Sequence, residues 1–325
     1  MNEPLSIIIV NYRTPDLTRR CLESVARERD QLAGSPPVAA IVVDNGSGDD
    51  SVDQLTDWIR DRDASDWVTL IPSPENLGFS AGSNLGLQAA PDQGPVLLLN
   101  SDTELNDACL TTSLNAFNAD PDIGLFSCRL VQPDGQTQIT ARPFPTPLRA
   151  IAAALGLPWL LPPLFRWAHP NDPSWDRDTD ARDVDWLGGA FLLIRRSVID
   201  TIGKLDEDFF FYGEDVEYCH RAAVAGYRRR YDPAATTLHH GGGSGPVIPN
   251  GDPENRPERW RARYLVQRKL YGRTAEILLR WTDRLTWAAR HLRYRLTGQR
   301  DRAASAAATR RALRTCLGDQ ETNEP

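Results

Sequence analysis

Residues 5–12 read LSIIIVNY, an apolar run that stops abruptly at Asn11-Tyr12. A short run without alternation predicts a strand covered on both faces, as in a parallel sheet. Three more runs repeat the pattern: Ala39 to Val43, Val68 to Ile71 and Val96 to Leu99. Stretches of helical period separate them, Leu17 to Arg29, Ser51 to Arg60 and Ala81 to Ala90. Strand and helix therefore alternate, which predicts an α/β fold that binds ligands beyond the carboxyl ends of its strands. Three of those ends are polar, Asn11-Tyr12, Asp44-Asn45-Gly46-Ser47 and Asn100-Ser101-Asp102, and they are expected to share one rim.

From Arg142 to Arg182 the alternation gives way to a proline- and tryptophan-containing stretch, expected as an insertion with short helices. A strand entered through glycines is expected over Trp186 to Arg195, and a helix over Asp215 to Ala225. A glycine-rich run from Gly241 to Gly245 then leads into a basic tail of helical pattern.

With 325 residues, 41% hydrophobic and 25% charged, the chain can bury a large core, which excludes a disordered chain, collagen and a coiled coil. Its five cysteines are scattered without a CxxC spacing, which argues against a disulfide framework or a zinc site. No secretory leader is visible at the start, and a reducing cytoplasm is the expected setting. The longest uncharged apolar stretch, Ala150 to Phe165, is broken by Pro158, Pro162 and Pro163 and is too short to span a bilayer.

The net charge of −7 conceals two opposed regions: 20 basic and 37 acidic residues up to 255, against 17 basic and 4 acidic over 256–318. Trp260, Tyr264, Tyr271, Trp281, Trp287 and Tyr294 interleave with the tail's cations. Such a tail fits an anionic membrane surface, the acidic body of its own protein or a second subunit. No nucleic-acid motif accompanies the charge, so nucleic acid is not an expected partner.

Asp44 follows a buried strand and precedes small turn residues, a setting suited to a nucleotide's base or ribose; capping the helix near Ser51 is the alternative. The absence of GxGxxG disfavours dinucleotide binding. Gly78, Gly82 and Gly86, spaced by four around Asn84, allow close approach of either a ligand or a packed element. Asp102 can hold a hard cation that grips a diphosphate, or can cap a helix from Asp107. Glu214 and Asp215 open a helix beside four aromatic residues, where a carboxylate can accept a proton or simply cap. His239 reads equally as a metal ligand or as a buried, hydrogen-bonded histidine.

Taken in order, SIIIVNYRTPD, VVDNGSGDDS, NLGFSAGSNLG, LLLNSDTE, WLGGAFLLIRR, FFFYGEDVEYCHRA and LHHGGGS resemble glycosyltransferase family 2, the inverting enzymes of GT-A fold, and within it the rhamnosyltransferase-like branch. The resemblance spans Leu5 to Ser244. It implies a mixed, mainly parallel sheet with flanking helices as a catalytic domain over 1–250, its nucleotide-binding half over 1–104 and its acceptor half over 105–250. A helical extension over 251–318 and an acidic tail over 319–325 would follow. The resemblance further implies that Asn11 and Asp44 contact the donor's base and ribose, with Asn76, Asn84 and Ser101 lining the nucleotide pocket. Asp102 and His239 would hold Mg2+ or Mn2+, Asp215 would be the general base with Glu214 beside it, and Trp186, Gly188 and Gly189 would wall the donor sugar and acceptor.

One departure stands out: where many relatives carry a first Asp, this chain has Asn100, an oxygen donor without charge, so the cation is expected to arrive with the nucleotide. The implied reaction is inverting transfer from a nucleotide-sugar, dTDP-rhamnose first and a UDP-hexose or UDP-galactofuranose as the alternative. The acceptor would be a glycan or lipid-linked glycan at the inner membrane face, reached by a peripheral protein, monomeric or homo-oligomeric. Two other classes compete. A noncatalytic glycan-binding protein has no need of Asp102, Asp215 and His239 together. A sugar nucleotidyltransferase would need a basic glycine-rich loop after the first strand, where this chain has Asn11-Tyr12-Arg13-Thr14-Pro15.

Overall fold

The computed structural model of the chain describes residues 3–32, 36–169, 180–241 and 257–321. Its first half is the expected alternation: β1 (Leu5–Asn11), α1 (Pro15–Gln31), β2 (Val38–Asp44), α2 (Ser51–Asp61), β3 (Val68–Pro72), α3 (Gly78–Ala89) and β4 (Val96–Asn100). Every residue of β1 is buried, as the unalternating run requires of a strand with both faces covered. Helix α1 starts with Pro15 at its first turn and buries Thr18, Cys21, Leu22 and Val25, one stripe at three- and four-residue spacing.

Beyond β4 come β5 (Thr103–Leu105), α4 (Cys109–Ala119), β6 (Ile123–Val131), β7 (Thr137–Gln138) and β8 (Ala141–Arg142). Three short helices follow, α5 (Pro147–Ala154), α6 (Leu157–Leu160) and α7 (Pro162–Phe165). Then come β9 (Arg182–Asp183), β10 (Trp186–Leu187), β11 (Phe191–Ile194), α8 (Arg196–Ile202), α9 (Glu214–Val224) and β12 (Arg228–His239). Helices α10 (Pro257–Tyr271), α11 (Arg273–Leu296) and α12 (Arg300–Glu321) complete the chain's described part.

The large sheet runs β3-β2-β1-β4-β11-β6-β12-β5. β1 lies parallel to β2 and β4, and β2 parallel to β3. β11 inserts antiparallel between β4 and β6, while β12 runs parallel to β6 and antiparallel to β5. The sheet is thus mixed and mainly parallel, as expected. One expectation is corrected: Trp186 to Arg195 is not a single strand. Gly188 and Gly189 divide it, so β10 pairs with β8 in a small second sheet while β11 enters the large one.

The glycine spacing of α3 is explained by packing. A Cβ at Gly86 would lie 2.5 Å from Ile8 Cγ2 and one at Gly82 3.2 Å from Val10 Cγ1, so the helix lies directly on β1. Gly78 has φ +82°, and a Cβ there would meet the Phe210 carbonyl oxygen at 2.4 Å.

By compactness the fold divides into two units: one holds all the strands with α1–α4, α8 and α9, the other holds α5–α7 and α10–α12. Helices α5–α7 come from within the expected acceptor half, yet they group with the C-terminal helices. The helical unit has its own core, including Ala150, Trp260, Tyr264, Leu279, Leu313 and Cys316. Among the described residues no helix is long and apolar enough to cross a membrane.

Candidate active site

The end of β1 is tied to the end of β2. The Asn11 amide donates to Asp44 Oδ2 at 2.7 Å, and the Ser47 hydroxyl donates to the same oxygen at 2.7 Å. The Ser47 amide donates to Asp44 Oδ1, while Ser47 Oγ accepts from the Arg13 amide. Arg13 itself sits at φ +57°, a left-handed conformation held by this loop. Asp44 therefore does not cap α2: Asp49 Oδ1 takes the Ser51 amide. Its carboxylate is buried and held by three donors at the strand end.

Asn45, next in sequence, joins this loop to the one before α3. Its amide donates to Asn76 Oδ1 and to the Gly78 carbonyl, and its oxygen accepts from the Leu77 amide. Asn76 Oδ1 also accepts from the Gly78 amide, an Asx turn at the start of the helix. Asn84, expected along the nucleotide pocket, has its amide on the Leu205 carbonyl and Glu207 Oε1 and its oxygen on the Leu205 amide. It anchors α3 to the segment leading to α9. Ser101 lies beside Thr14, their hydroxyl oxygens 3.4 Å apart.

Asp102 and His239 come together through the pairing of β5 with β12, which places Thr103 opposite His239. His239 Nε2 is 3.2 Å from Asp102 Oδ1, and the His239 side chain is 9% exposed. Gln138 Oε1 lies 2.5 Å from Nδ1 and accepts a proton held there, so in the neutral ring Nε2 is the bare nitrogen. The Asn100 amide group, 3.4 Å from Nε2, is a donor consistent with that tautomer. The residues fit a divalent cation: a bare imidazole nitrogen and a carboxylate oxygen face each other at a separation near the ~3 Å between adjacent ligands of an octahedral ion with bonds of about 2.1 Å. Among the described residues no cluster of three His, Cys, Asp or Glu exists, so further ligands would come from substrate oxygens and water. The alternative role for Asp102 as a helix cap is filled by another residue. Glu28, from α1, accepts from the Ala108 and Leu110 amides at the start of α4.

Asp215 and Glu214 sit in the first turn of α9. Asp215 Oδ2 accepts from the Gly189 amide at 3.2 Å and Oδ1 from the Val216 amide at 2.8 Å. Burial raises the Asp215 pKa above the ordinary carboxylate value, opposed by those two amides and the Arg142 charge. At Glu214 only its own backbone amide opposes the rise. Burial, and then the neighbouring Asp215 charge, push it up to about 8, and its Oε2 has no hydrogen-bond partner among the described residues. The pair therefore divides: Asp215 ionises first, and Glu214 holds its proton at neutral pH.

The turn that enters β11 brings these groups to one rim. The backbone amide of Asn100 donates to the Ala190 carbonyl, and that of Gly189, one residue earlier, donates to Asp215. Residues 189–190 thus touch both the end of β4 and the α9 carboxylate. Segment 137–142 is the second bridge, and sequence reasoning missed it. Gln138 reaches His239, Thr140 accepts the Gly188 amide through both its carbonyl and hydroxyl oxygens, and Arg142 lies 5.4 Å from the Trp186 ring. The Trp186 indole donates to the Pro143 carbonyl. The signal was present as Pro133-Asp134-Gly135, a turn with Gly135 at φ +82° that folds β7 antiparallel onto β6.

The sequence model of glycosyl transferase family 2 matches residues 6–203. An N-acetylglucosaminyl-diphospho-decaprenol L-rhamnosyltransferase of Mycobacterium tuberculosis is 30% identical over 251 residues, 74% of this chain and 77% of that protein. A low-salt glycan biosynthesis hexosyltransferase of Haloferax volcanii is 29% identical over 225 residues, 68% of this chain and 62% of that one. Among solved structures, a mannosyltransferase from Pyrobaculum calidifontis in complex with GDP-Man and Mn2+ superposes with a TM-score of 0.60 at 17% identity, covering 98% of this chain and 88% of the other. That likeness bears on the fold alone.

Proposed function

Since the chain belongs to glycosyl transferase family 2 and is a glycosyltransferase, we propose that it transfers rhamnose from dTDP-rhamnose, with inversion, to a hydroxyl of a lipid-linked glycan. The rhamnosyltransferase of Mycobacterium tuberculosis supports the sugar, and the diphospho-decaprenol in its name supports the acceptor class. The observation that carries the reading of the site is the double contact of residues 189–190, which puts the Asp215 carboxylate and the polar end of β4 on one rim.

Asn11 and Asp44 receive the base and ribose. Their mutual hydrogen bond fixes the carboxylate before the donor arrives, so little ordering is left for binding. Asn76 and Ser101 border the same pocket, and Asn84 shapes it by holding residues 205–207. His239 Nε2 and Asp102 Oδ1 would hold Mg2+ or Mn2+, whose charge offsets the negative charge that develops on the departing diphosphate. Asp215 accepts the proton of the acceptor hydroxyl. The hydroxyl oxygen forms a bond to the anomeric carbon as the carbon–oxygen bond to the diphosphate breaks on the opposite face, and the nucleoside diphosphate leaves with that electron pair. The amides of Gly189 and of Val216 in the first turn of α9 oppose the effect of burial on the Asp215 carboxylate and aim it. Glu214, protonated beside it, removes a second negative charge from the place where the hydroxyl must enter. Trp186, Gly188 and Gly189 form the wall for donor sugar and acceptor, and the glycines leave room that a side chain would fill: a Cβ at Gly188 would lie 2.9 Å from Thr140 Oγ1. The basic extension holds the protein at the membrane where a lipid-linked acceptor resides.

The test is a donor panel. The protein is incubated with Mn2+ and with dTDP-rhamnose, UDP-hexoses and UDP-galactofuranose in turn, and released nucleoside diphosphate is measured. Slow release from dTDP-rhamnose is expected. Release from a UDP-sugar instead replaces the donor, and release from none, with or without lipid-linked acceptor, overturns the reading. Because Asn100 brings no charge, calorimetry is expected to show weak Mn2+ binding without nucleotide and tight binding with dTDP.

A further inference from the structure

We propose that the outer face of α11, together with α6 and α7, is a docking surface for an anionic phospholipid membrane, lying in the plane of the interface. The inference rests on the reading of the extension as a membrane contact and fixes which residues make it.

Helix α11 is amphipathic in an inverted sense. Ala275, Glu276, Leu279 and Asp283 are buried on the side facing the helical unit's core. On the opposite side Leu278, Trp281, Leu285, Leu292 and Leu296 are 51%, 56%, 65%, 58% and 78% exposed. At 1.5 Å per residue that stripe is about 27 Å long. An outer helix face is ordinarily polar, and a continuous apolar stripe of this length marks a surface that something covers.

Charge decides what covers it. Arg284, Arg293 and Arg295 are exposed along the borders of the stripe, and Arg284 lies 5.5 Å from the Trp281 ring centre. The two acids of α11 are both buried: Glu276 pairs with Arg280, and Asp283 accepts from Arg263 and Tyr264. The outer face of α11 therefore carries cations with none of the helix's own carboxylates among them. A second copy of the chain would bring arginine rows against arginine rows, whereas an anionic lipid surface complements them while the leucines and tryptophan enter the acyl boundary. Helices α6 and α7 add Trp159, Leu160, Leu161 and Leu164, 55%, 68%, 49% and 67% exposed. The turn at Gly156 that opens α6 lies against the Arg290 guanidinium, so this apolar pair begins beside the C-terminal half of α11. Both elements are too short or too charged to span the bilayer, which leaves the in-plane arrangement.

The test is flotation of the full chain with phosphatidylcholine vesicles, with and without phosphatidylglycerol. The wild type is expected to float with the anionic vesicles only, and less so as salt rises. An L285E/L292E variant should lose flotation. An R284Q/R293Q/R295Q variant should bind about 100-fold more weakly, at roughly a fivefold factor per cation near such a surface. Thermal melting reports on folding, and the arginine set, all exposed, serves even where the leucine set melts early. Donor hydrolysis should be unchanged in both. Variants that float like the wild type overturn this inference and leave the membrane reading standing. A wild type that does not float overturns both. A dimer that the leucine changes convert to monomer, without vesicle binding, assigns the face to a second copy and also overturns it. Flotation without hydrolysis of any donor breaks the transferase reading alone.

Discussion

In the sheet unit, Asn11, Asp44 and Asp102 at the strand ends and Asn84 on α3 are at most 2% exposed, whereas on α11 Leu285 and Leu296 are 65% and 78% exposed. Each region inverts the ordinary distribution, and such inversions mark function more reliably than a conventional core or surface does. The physical costs differ. A buried polar side chain must be satisfied, so Asp44 carries three donors and Asn84 makes three bonds. An exposed leucine needs no partner to remain folded, so α11 can present its stripe without a supporting network.

This contrast can be broken at several points, beginning with the largest expected effect. Asp215→Asn should lower transfer by about 10² to 10⁴, the range of a positioned base, with donor binding by calorimetry little changed. Retention of a tenth or more of the activity would remove Asp215 from that role. Gly86→Ala should cost about 1–3 kcal/mol in denaturant unfolding, because the new Cβ meets Ile8 Cγ2 at 2.5 Å within a packed interior.

Glu214→Gln sharpens the comparison through pH. Glu214 is raised from 4.5 to about 8 in the folded protein, so the native state binds a proton that the unfolded chain has released. Stability should fall as pH rises from about 4.5 to about 8 and level off above, and the Gln variant should flatten that window in melting curves. Leu285→Ser, on the exposed stripe, should change unfolding free energy by less than about 0.5 kcal/mol. A loss comparable to that of Gly86→Ala would mean that the leucine supports the fold after all.

The strands of the first half were legible because each is an apolar run closed by polar residues, and the three polar ends do meet the rim they announced. β12 was not, for a physical reason. It begins Arg228-Arg229-Arg230, which reads as a solvated stretch until Arg228 and Arg230 are found on Asp183 and Arg228 also on Asp120. Gln138 was equally opaque, since a lone glutamine in a two-residue strand has no periodicity; only the fold brings it to His239. Asn45 sat within a quoted motif, yet its use as a link to Asn76 depends on how two loops meet. Glycine spacing in α3 left ligand and packing readings even, and the distances to Ile8 and Val10 decide for packing.

The Phe79 amide donates to the Phe210 carbonyl, and Asn84 holds Leu205 and Glu207. The loop entering α9 is therefore riveted to α3 at two levels. Anyone wishing to alter sugar preference by grafting a relative's sequence at residues 76–86 would have to transplant residues 205–215 with it, because the two stretches are a single replaceable cassette.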